Sequence, residues 1–402
     1  MRWQMVLNSE YYFEKEQQYH LGVYRRSPVV FVSGEGPYLF DLEGEKYLDF
    51  LAGIAVNVLG YGFPPLVKAI QEEAAKLLHT SNLFYTLPQI ELAERLVKIS
   101  GLSKVFFVNS GAEANEVAMK VARFYGRRKH RKRFKFISFE RSFHGRTLLT
   151  LAATGQRKFH QDLEPLPSGI AYAKLNDLQS VLEVLDDEVC AIIVEPVQGE
   201  GGVYPSSKEF LQGLRELCDR EDVLLIFDEV QCGMGRTGSF FAFQHFGVKP
   251  DLVTLAKGLG GGLPIGCCLL NEKVLPFLHP GDQGSTFGGN PVCARSACVV
   301  CDEVSRESFL KKVGEKGEYL KKKLESLQKK YPGLIKEVRG VGLMWGIEIP
   351  GRAKKVAQKL FENKVLVNAC NDDVVRLLPP LIIEEEHIDL VTSALDKILA
   401  TW

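Results

Sequence analysis

The spacing of apolar positions changes along the chain and predicts two kinds of structure. Between residues 28 and 50, short apolar runs are separated by turns that contain glycine, a pattern typical of a small antiparallel meander. From about residue 64, helical patterns alternate with short apolar runs, and the runs predicted to be strands are 104–108, 134–138, 190–194, 223–227 and 252–255. This alternation predicts an α/β fold whose mainly parallel sheet is flanked by helices.

After residue 290 the pattern predicts a second, smaller α+β domain. A long helical stretch is followed by shorter predicted elements, which are strands at 343–349, 365–367 and 374–378, a helix at 353–363 and a last amphipathic helix. We expect the N-terminal meander to join this domain, which makes it discontinuous. The expected units are residues 1–63 as part of the small domain, 64–290 as the large domain and 291–402 as the rest of the small domain.

The composition is that of an ordinary globular protein. The chain has 402 residues, of which 46% are hydrophobic and 25% charged, enough for two domains. The formal net charge is zero, which gives no overall attraction to nucleic acid or to an anionic membrane. The first residues do not resemble a secretory signal, and no apolar run reaches membrane-spanning length. Scattered cysteines, nine in all, suit reduced thiols and predict a cytoplasmic location.

Two local motifs could indicate other functions, but their surroundings favour structural roles. Cys298 and Cys301 have the spacing of a metal or redox pair, yet no second pair follows at a usable distance, and we predict no metal site. The basic run 127–135 could bind nucleic acid. It is better explained as the solvated carboxyl-terminal end of a helix, because aromatic residues are not interleaved with the charges.

Lys257 and Asp228 give the strongest chemical indication. Lys257 follows an apolar run, where burial would favour a neutral amine able to condense with an aldehyde. Asp228 ends a predicted strand, where its carboxylate could face a pyridine nitrogen. This pairing resembles the cofactor site of pyridoxal-phosphate enzymes. The glycines at 258–262 do not complete G-x-G-x-x-G and follow a lysine, which excludes a nicotinamide-binding dehydrogenase.

A phosphate site is predicted where a strand turns into a helix at Ser110, Gly111 and Ala112. The helix is indicated by apolar residues on one face, namely Ala114, Val117, Ala118, Val121, Ala122 and Tyr125. Ser110 would cap this helix. The backbone N–H groups of Gly111 and Ala112 would bind the phosphate with the help of the helix dipole.

Taken in order, the motifs resemble the class III, ornithine-type aminotransferases of the pyridoxal-phosphate family. The similarity extends over nearly the whole chain and is carried by residues 109–116, 142–147, 194–200, 227–238, 251–266, 285–291 and 376–381. The resemblance implies a fold-type I transferase with a large domain and a smaller α+β domain. It also implies pyridoxal 5′-phosphate as the cofactor.

The resemblance implies a role for each residue of the cofactor site. Lys257 would bind the cofactor covalently and later move a proton between the substrate carbon and the C4′ carbon of the cofactor. Asp228 would be the partner of the ring nitrogen, Gln231 would lie near the phenolic oxygen, and Phe143 would stack on the ring. Thr286 would reach the phosphate of the neighbouring subunit. A homodimer with shared active sites is therefore expected.

Substrate binding is expected to depend on two arginines and two acids. Arg376 would bind the carboxylate beside the reacting carbon, and Arg146 the distant carboxylate. Glu200 would pair with Arg376 while the donor reacts through its terminal amine, until 2-oxoglutarate or glutamate displaces it. Glu195 would be a second acid in the active site, with a positioning role.

The amino donor is predicted from fewer residues. Ile54 stands where ornithine δ-aminotransferases carry a tyrosine that helps to hold the free α-amino group, and an apolar side chain there suits an acylated amine. Tyr24 would lie near the distal carboxylate. The expected reaction converts N-acetylornithine and 2-oxoglutarate to N-acetylglutamate 5-semialdehyde and glutamate, within arginine biosynthesis. Ornithine, 4-aminobutyrate, N-succinyl-diaminopimelate and acetyl-lysine stay open as alternative donors.

Overall fold

The computed structural model describes residues 8–402; residues 1–7, which belong to the predicted first unit and hold the start of the chain, lie outside the described residues. The helices are α1 Ser9–Tyr19, α2 Ala52–Ala55, α3 Pro64–Ala74, α4 Leu87–Ser100, α5 Gly111–His130, α6 Leu148–Ala153, α7 Leu178–Val184, α8 Lys208–Glu221, α9 Ala242–Phe246, α10 Pro291–Val304, α11 Glu307–Lys330, α12 Ala353–Glu362 and α13 Glu385–Leu399. Short 3₁₀ helices cover Arg157–Phe159, Lys257–Gly260 and Glu272–Phe277.

The strands form one large sheet and three smaller ones. In chain order they are β1 Phe31–Glu35, β2 Tyr38–Asp41, β3 Lys46–Asp49, β4 Lys104–Val108, β5 Lys135–Phe139, β6 Ile170–Ala173, β7 Val189–Val194, β8 Val197–Gln198, β9 Tyr204–Pro205, β10 Leu224–Asp228, β11 Leu252–Leu255, β12 Gly266–Leu270, β13 Glu337–Val341, β14 Met344–Glu348, β15 Val365–Leu366, β16 Asn368–Cys370 and β17 Val374–Leu377.

The large sheet confirms the predicted α/β fold. Its seven strands follow the order β4-β12-β11-β10-β7-β5-β6. Strand β12 is antiparallel to both neighbours, and the others run parallel. The five strands predicted for this region correspond to β4, β5, β7, β10 and β11, whereas β6 and β12 were not predicted. Strands β7 and β10 are buried along their whole length, as expected for parallel strands covered by helices on both faces.

Helix α5 shows how the sequence pattern becomes packing. Its predicted apolar stripe is buried, and the helix packs on β7, β11 and β12 of the large sheet. The helix begins after Ser110, whose side chain accepts a hydrogen bond from the N–H of Glu113 at 3.2 Å. This cap fixes the first turn of α5 at the edge of the sheet.

The N-terminal meander and the C-terminal part share a sheet. Strands β1, β2 and β3 form the predicted antiparallel meander, and β3 pairs with β15 in parallel. A separate four-stranded sheet has the order β13-β14-β17-β16. The pairing of β3 with β15 supports a small domain built from both ends of the chain, while the exact domain boundaries stay a prediction.

The basic run 127–135 covers the end of α5 and the start of β5. Its cations face acids from neighbouring segments: Arg128 pairs with Asp282, Lys129 and His130 with Asp222, Lys132 with Asp187, and Lys135 with Asp186 and Glu188. Cys298 and Cys301 are both buried in α10. Within residues 8–402, no helix combines the length and the apolar character needed to span a membrane.

Gly266, the first residue of β12, is expected to be intolerant of a side chain. A Cβ atom there would clash with the carbonyl oxygen of Ser110 and lie 3.2 Å from that of Leu255. We expect Gly266→Ala to lower the free energy of unfolding by about 1–3 kcal/mol, as measured by urea denaturation. Gly314→Ala is the matched control, because among residues 8–402 no heavy atom outside the backbone of its own helix lies within 4 Å of its added Cβ. In the interior of α11 this change should be neutral or stabilise by up to about 1 kcal/mol. Equal denaturation midpoints for the two variants would contradict the packing at Gly266.

Candidate active site

A cavity of about 440 Å³ opens where β10 and β11 end and α5 begins. Its walls include most of the residues that the sequence predicted for one site, namely Ser110, Gly111, Ala112, Phe143, Arg146, Glu195, Glu200, Asp228, Gln231 and Lys257. Arg376 is fully buried behind Glu200. Residues that are far apart in sequence are therefore neighbours in a space large enough for a small molecule.

Lys257 lies two residues beyond the end of β11, at the start of a 3₁₀ helix. Its backbone has a φ of +42°, an uncommon conformation for a residue with a side chain. Burial lowers the pKa of its amine below the usual value, although the negative charge of Glu200 opposes the shift. A neutral amine is the form that can attack a carbonyl carbon.

Asp228 is held from two sides by other polar groups. One carboxylate oxygen accepts a hydrogen bond from the side-chain amide of Asn115 at 2.7 Å and lies 2.8 Å from Nδ1 of His144. The other oxygen accepts from the backbone N–H of Val230 at 3.0 Å. The side chain is 3% exposed, so these contacts fix the direction in which it can meet a ligand.

The part of the cavity at the start of α5 is suited to a phosphate group. Gly111 and Ala112 belong to the first turn of α5, whose N–H groups have no partners within the helix. A Cβ atom at Gly111 would lie 2.6 Å from the side chain of Val230, so the backbone is closely packed there. Together with a buried lysine and a fixed carboxylate, this anion site fits the donor and acceptor groups of pyridoxal phosphate.

Glu195 holds the segment that carries the aromatic ring of Phe143. Its carboxylate accepts hydrogen bonds from the backbone N–H of Phe143 at 2.9 Å and from that of Gly199 at 3.0 Å. Burial raises the pKa of Glu195 to about 7.

Arg146 is exposed at the cavity wall, with its guanidinium 3.9 Å from the centre of the Phe159 ring. That position leaves the Arg146 charge available to an incoming carboxylate.

Glu200, Gln231 and Arg376 form one connected group. Nη1 of Arg376 donates to Glu200 at 2.7 Å and to the side-chain oxygen of Gln231 at 2.9 Å. The amide of Gln231 also donates to Glu200, at 3.1 Å. Although burial acts in the opposite direction, the charges of Arg376 and Lys257 lower the pKa of Glu200 to about 2. Glu200 is therefore ionised and neutralises the buried arginine.

Besides Arg376, which lies behind Glu200, three of the predicted site residues do not line this cavity. Tyr24 is 73% exposed, and Ile54 is 37% exposed in the turn that leads to Val56, which does line the cavity. Thr286 lies on the surface in a separate shallow pocket formed with residues 79–89. The expected role of Thr286 requires a second subunit, so a single chain does not test it. The roles of all three residues stay predictions.

Three polar residues that support Asp228 were not predicted from the sequence. Asn115 and His144 contact it directly, and the hydroxyl of Thr254 donates to the amide oxygen of Asn115 at 2.7 Å. Each of the three is almost completely buried. Asn115 could have been found from the sequence, because it is a polar residue beside the apolar stripe of α5. The contact of His144 with a strand 84 residues away gave no local signal.

Comparison with known proteins agrees with the architecture. A family model described as aminotransferase class-III matches residues 23–399. The chain is 49% identical to the acetylornithine aminotransferase of Methanocaldococcus jannaschii, over 98% of both chains. It is 52% identical to that of Aquifex aeolicus, over 95% of this chain and 100% of the relative.

Solved structures of similar proteins have the same fold over nearly their whole length. The ornithine aminotransferase of Toxoplasma gondii gives a TM-score of 0.94 at 31% identity, with 98% of this chain and 96% of the other covered. The N-acetylornithine aminotransferase of Stenotrophomonas maltophilia gives 0.83 at 37% identity, with 97% and 98% covered. The protein therefore belongs to the class-III aminotransferase family and is a transaminase that depends on pyridoxal phosphate.

Proposed function

We propose that the protein transfers the terminal amino group of N-acetylornithine to 2-oxoglutarate, giving N-acetylglutamate 5-semialdehyde and glutamate. The observation that carries the proposal is the buried amine of Lys257 in one cavity with Asp228 and with Glu200, whose partner Arg376 lies 2.7 Å away. The choice of donor is supported by the relatives named acetylornithine aminotransferase. The reaction would belong to arginine biosynthesis in the cytoplasm, where the nine free thiols would stay reduced.

Each residue near the cofactor has a proposed task. When bound, pyridoxal phosphate supplies an aldehyde that reacts with amines and a ring that stabilises negative charge at the substrate carbon. Lys257 holds the cofactor through its ε-nitrogen and, once released, moves the proton of the substrate carbon. Asp228 keeps the ring nitrogen protonated, and Phe143 packs on the ring face. The turn at Ser110 binds the phosphate.

The two arginines divide the recognition of carboxylates between them. Arg146 at the cavity wall binds the carboxylate that is distant from the reacting carbon. N-acetylornithine, reacting through its terminal amine, has no carboxylate beside the reacting carbon, and Glu200 then neutralises Arg376. With 2-oxoglutarate or glutamate, the carboxylate beside that carbon replaces Glu200 at Arg376. One site can thus accept both substrates in turn, which gives ping-pong kinetics.

A homodimer with shared active sites is also proposed, and an exposed apolar surface supports it. This surface, here called the 78–90 face, exposes large side chains that are normally buried, namely Leu78, Leu83, Phe84, Tyr85, Leu87 and Phe287. The side chain of Asn82 donates to the carbonyl of Ser285 at 2.8 Å, which fixes the segment with Thr286 against this face. A partner covering the 78–90 face would also cover Thr286.

The donor assignment predicts a ranking of amines in the first half-reaction. We expect N-acetylornithine to react with the highest kcat/KM, at least about tenfold above ornithine, because a charged α-amine near Ile54 would lose hydration without a polar partner. The comparison also includes 4-aminobutyrate, N-succinyl-diaminopimelate and acetyl-lysine, and follows the visible absorption of the cofactor. Ile54→Tyr should narrow the gap between the two ornithines. A faster reaction with free ornithine than with N-acetylornithine would refute the assignment.

The dimer proposal predicts that a charge in the 78–90 face separates the subunits. Tyr85→Asp should reduce the molar mass in light scattering from that of two chains to that of one, because a carboxylate would be buried without a partner. The variant should also bind the cofactor more weakly, since Thr286 of the other subunit is lost. Leu390→Asp is the control, as Leu390 is 55% exposed on α13. An unchanged mass for Tyr85→Asp would reject this face as the interface.

A further inference from the structure

One row of paired residues crosses the small antiparallel sheet that carries Arg376, and it consists of Arg339, Gly346, Arg376 and Asn368. Arg339 on β13 is paired with Gly346 on β14, and Gly346 is paired with Arg376 on β17. Side chains of directly paired residues point to the same face of a sheet. The row therefore presents two arginines with a glycine between them. Arg376 is 0% exposed and Arg339 is 7% exposed.

The gap at Gly346 is filled by the loop that carries Glu200. This loop, here called the Glu200 loop, is residues 199–203 between β8 and β9. A Cβ atom at Gly346 would lie 3.1 Å from the carbonyl oxygen of Gly202 and 3.1 Å from Cβ of Val203. The backbone of the loop thus rests on the sheet between the two arginines, and a side chain at 346 would push it away.

The two arginines hold different parts of this loop. Arg376 pairs with the Glu200 carboxylate at 2.7 Å, whereas Nε of Arg339 donates to the carbonyl of Gly202 at 3.0 Å. The guanidinium of Arg339 also lies 3.9 Å from the centre of the Tyr204 ring, just after the loop. Arg376 thus holds the carboxylate of Glu200. Arg339 holds the Gly202 carbonyl within the loop and the Tyr204 ring that follows it.

Arg339 is itself oriented by the sheet. Its Nη1 donates to Glu337 at 2.7 Å and to Glu348 at 2.6 Å. Two ion pairs on a nearly buried guanidinium leave it little freedom to turn, so Nε and the planar face stay directed at the loop. Arg141, close in sequence to Phe143, contacts the same Tyr204 ring at 4.6 Å. The Tyr204 ring therefore connects the segment of Phe143, the Glu200 loop and the sheet of Arg376.

We propose that Arg339 is a positioning residue that keeps Glu200 on Arg376 while the amino donor reacts, and that it thereby sets the preference between donor and glutamate. The inference rests on the proposed function, in which Glu200 neutralises Arg376 during the first half-reaction. Without Arg339 the loop loses the hydrogen bond at the carbonyl of Gly202 and one of the two arginine contacts of the Tyr204 ring. Arg376 is then free more often, which favours substrates with a carboxylate beside the reacting carbon.

The test compares the two half-reactions of the holoenzyme, with N-acetylornithine and with glutamate. We expect Arg339→Met to lower the ratio of their kcat/KM values about tenfold, since a hydrogen bond from a charged group is lost. A general structural defect would lower both half-reactions together and leave the ratio unchanged. Arg306→Met is the matched control, because Arg306 is exposed and pairs only with Glu303 among the residues described. For Arg306→Met, the ratio of the two kcat/KM values should equal that of the wild type.

A double-mutant cycle separates this inference from the function on which it rests. Because Arg339 acts through Glu200, Arg339→Met should change the ratio little in a Glu200→Gln background. If Glu200→Gln alone leaves the ratio unchanged, the proposed role of Glu200 fails. If Glu200→Gln changes the ratio and Arg339→Met does not, only the role of Arg339 fails. If Arg339→Met does not fold, Tyr204→Leu replaces it as the test, because this variant removes the ring contact and keeps the arginine. An unchanged ratio of the two kcat/KM values in Tyr204→Leu would then overturn the inference.

Discussion

A primary amine buried at the end of the central sheet is the constraint that the rest of the site must satisfy. Burial disfavours the charged form of Lys257, while the acids around it favour that form. Each of these acids has another partner: Glu200 is paired with Arg376, Asp228 with Asn115 and His144, and Glu195 with backbone N–H groups. These partners hold the acids, and among residues 8–402 no direct ion pair joins any of them to Lys257, which leaves its amine available for reaction.

The parallel sheet is what brings these groups together. Strands β7, β10 and β11 run in the same direction, so their carboxyl ends meet at one edge, where ligand sites of open α/β sheets lie. Glu195 follows β7, Asp228 ends β10, and Lys257 follows β11 by two residues. The start of α5 reaches the same edge and adds the anion site. The four-stranded sheet β13-β14-β17-β16 contributes Arg376. It also carries Arg339, which contacts the Glu200 loop.

How much the sequence could predict depended on whether the signal was local. The strands β4 and β11 were predicted with their exact ends, and the cap at Ser110 followed from a helical pattern in neighbouring residues. Strand β12 was missed because its apolar run follows a series of glycines that read as a loop, and its antiparallel pairing depends on β4 and β11. Asn115, His144 and Arg339 were missed because their importance comes from partners far away in the sequence. Tyr24, Ile54 and Thr286 lie outside the cavity, and their expected roles stay predictions.

The ε-nitrogen of Lys257 is proposed to carry the cofactor. Borohydride reduction of the holoenzyme, followed by proteolysis and mass mapping, tests this attachment, because reduction makes a carbon–nitrogen double bond permanent. We expect one modified peptide, which contains Lys257 with a pyridoxyl-phosphate group on its side chain. A modification on another lysine, or none in protein that holds the cofactor, would contradict it.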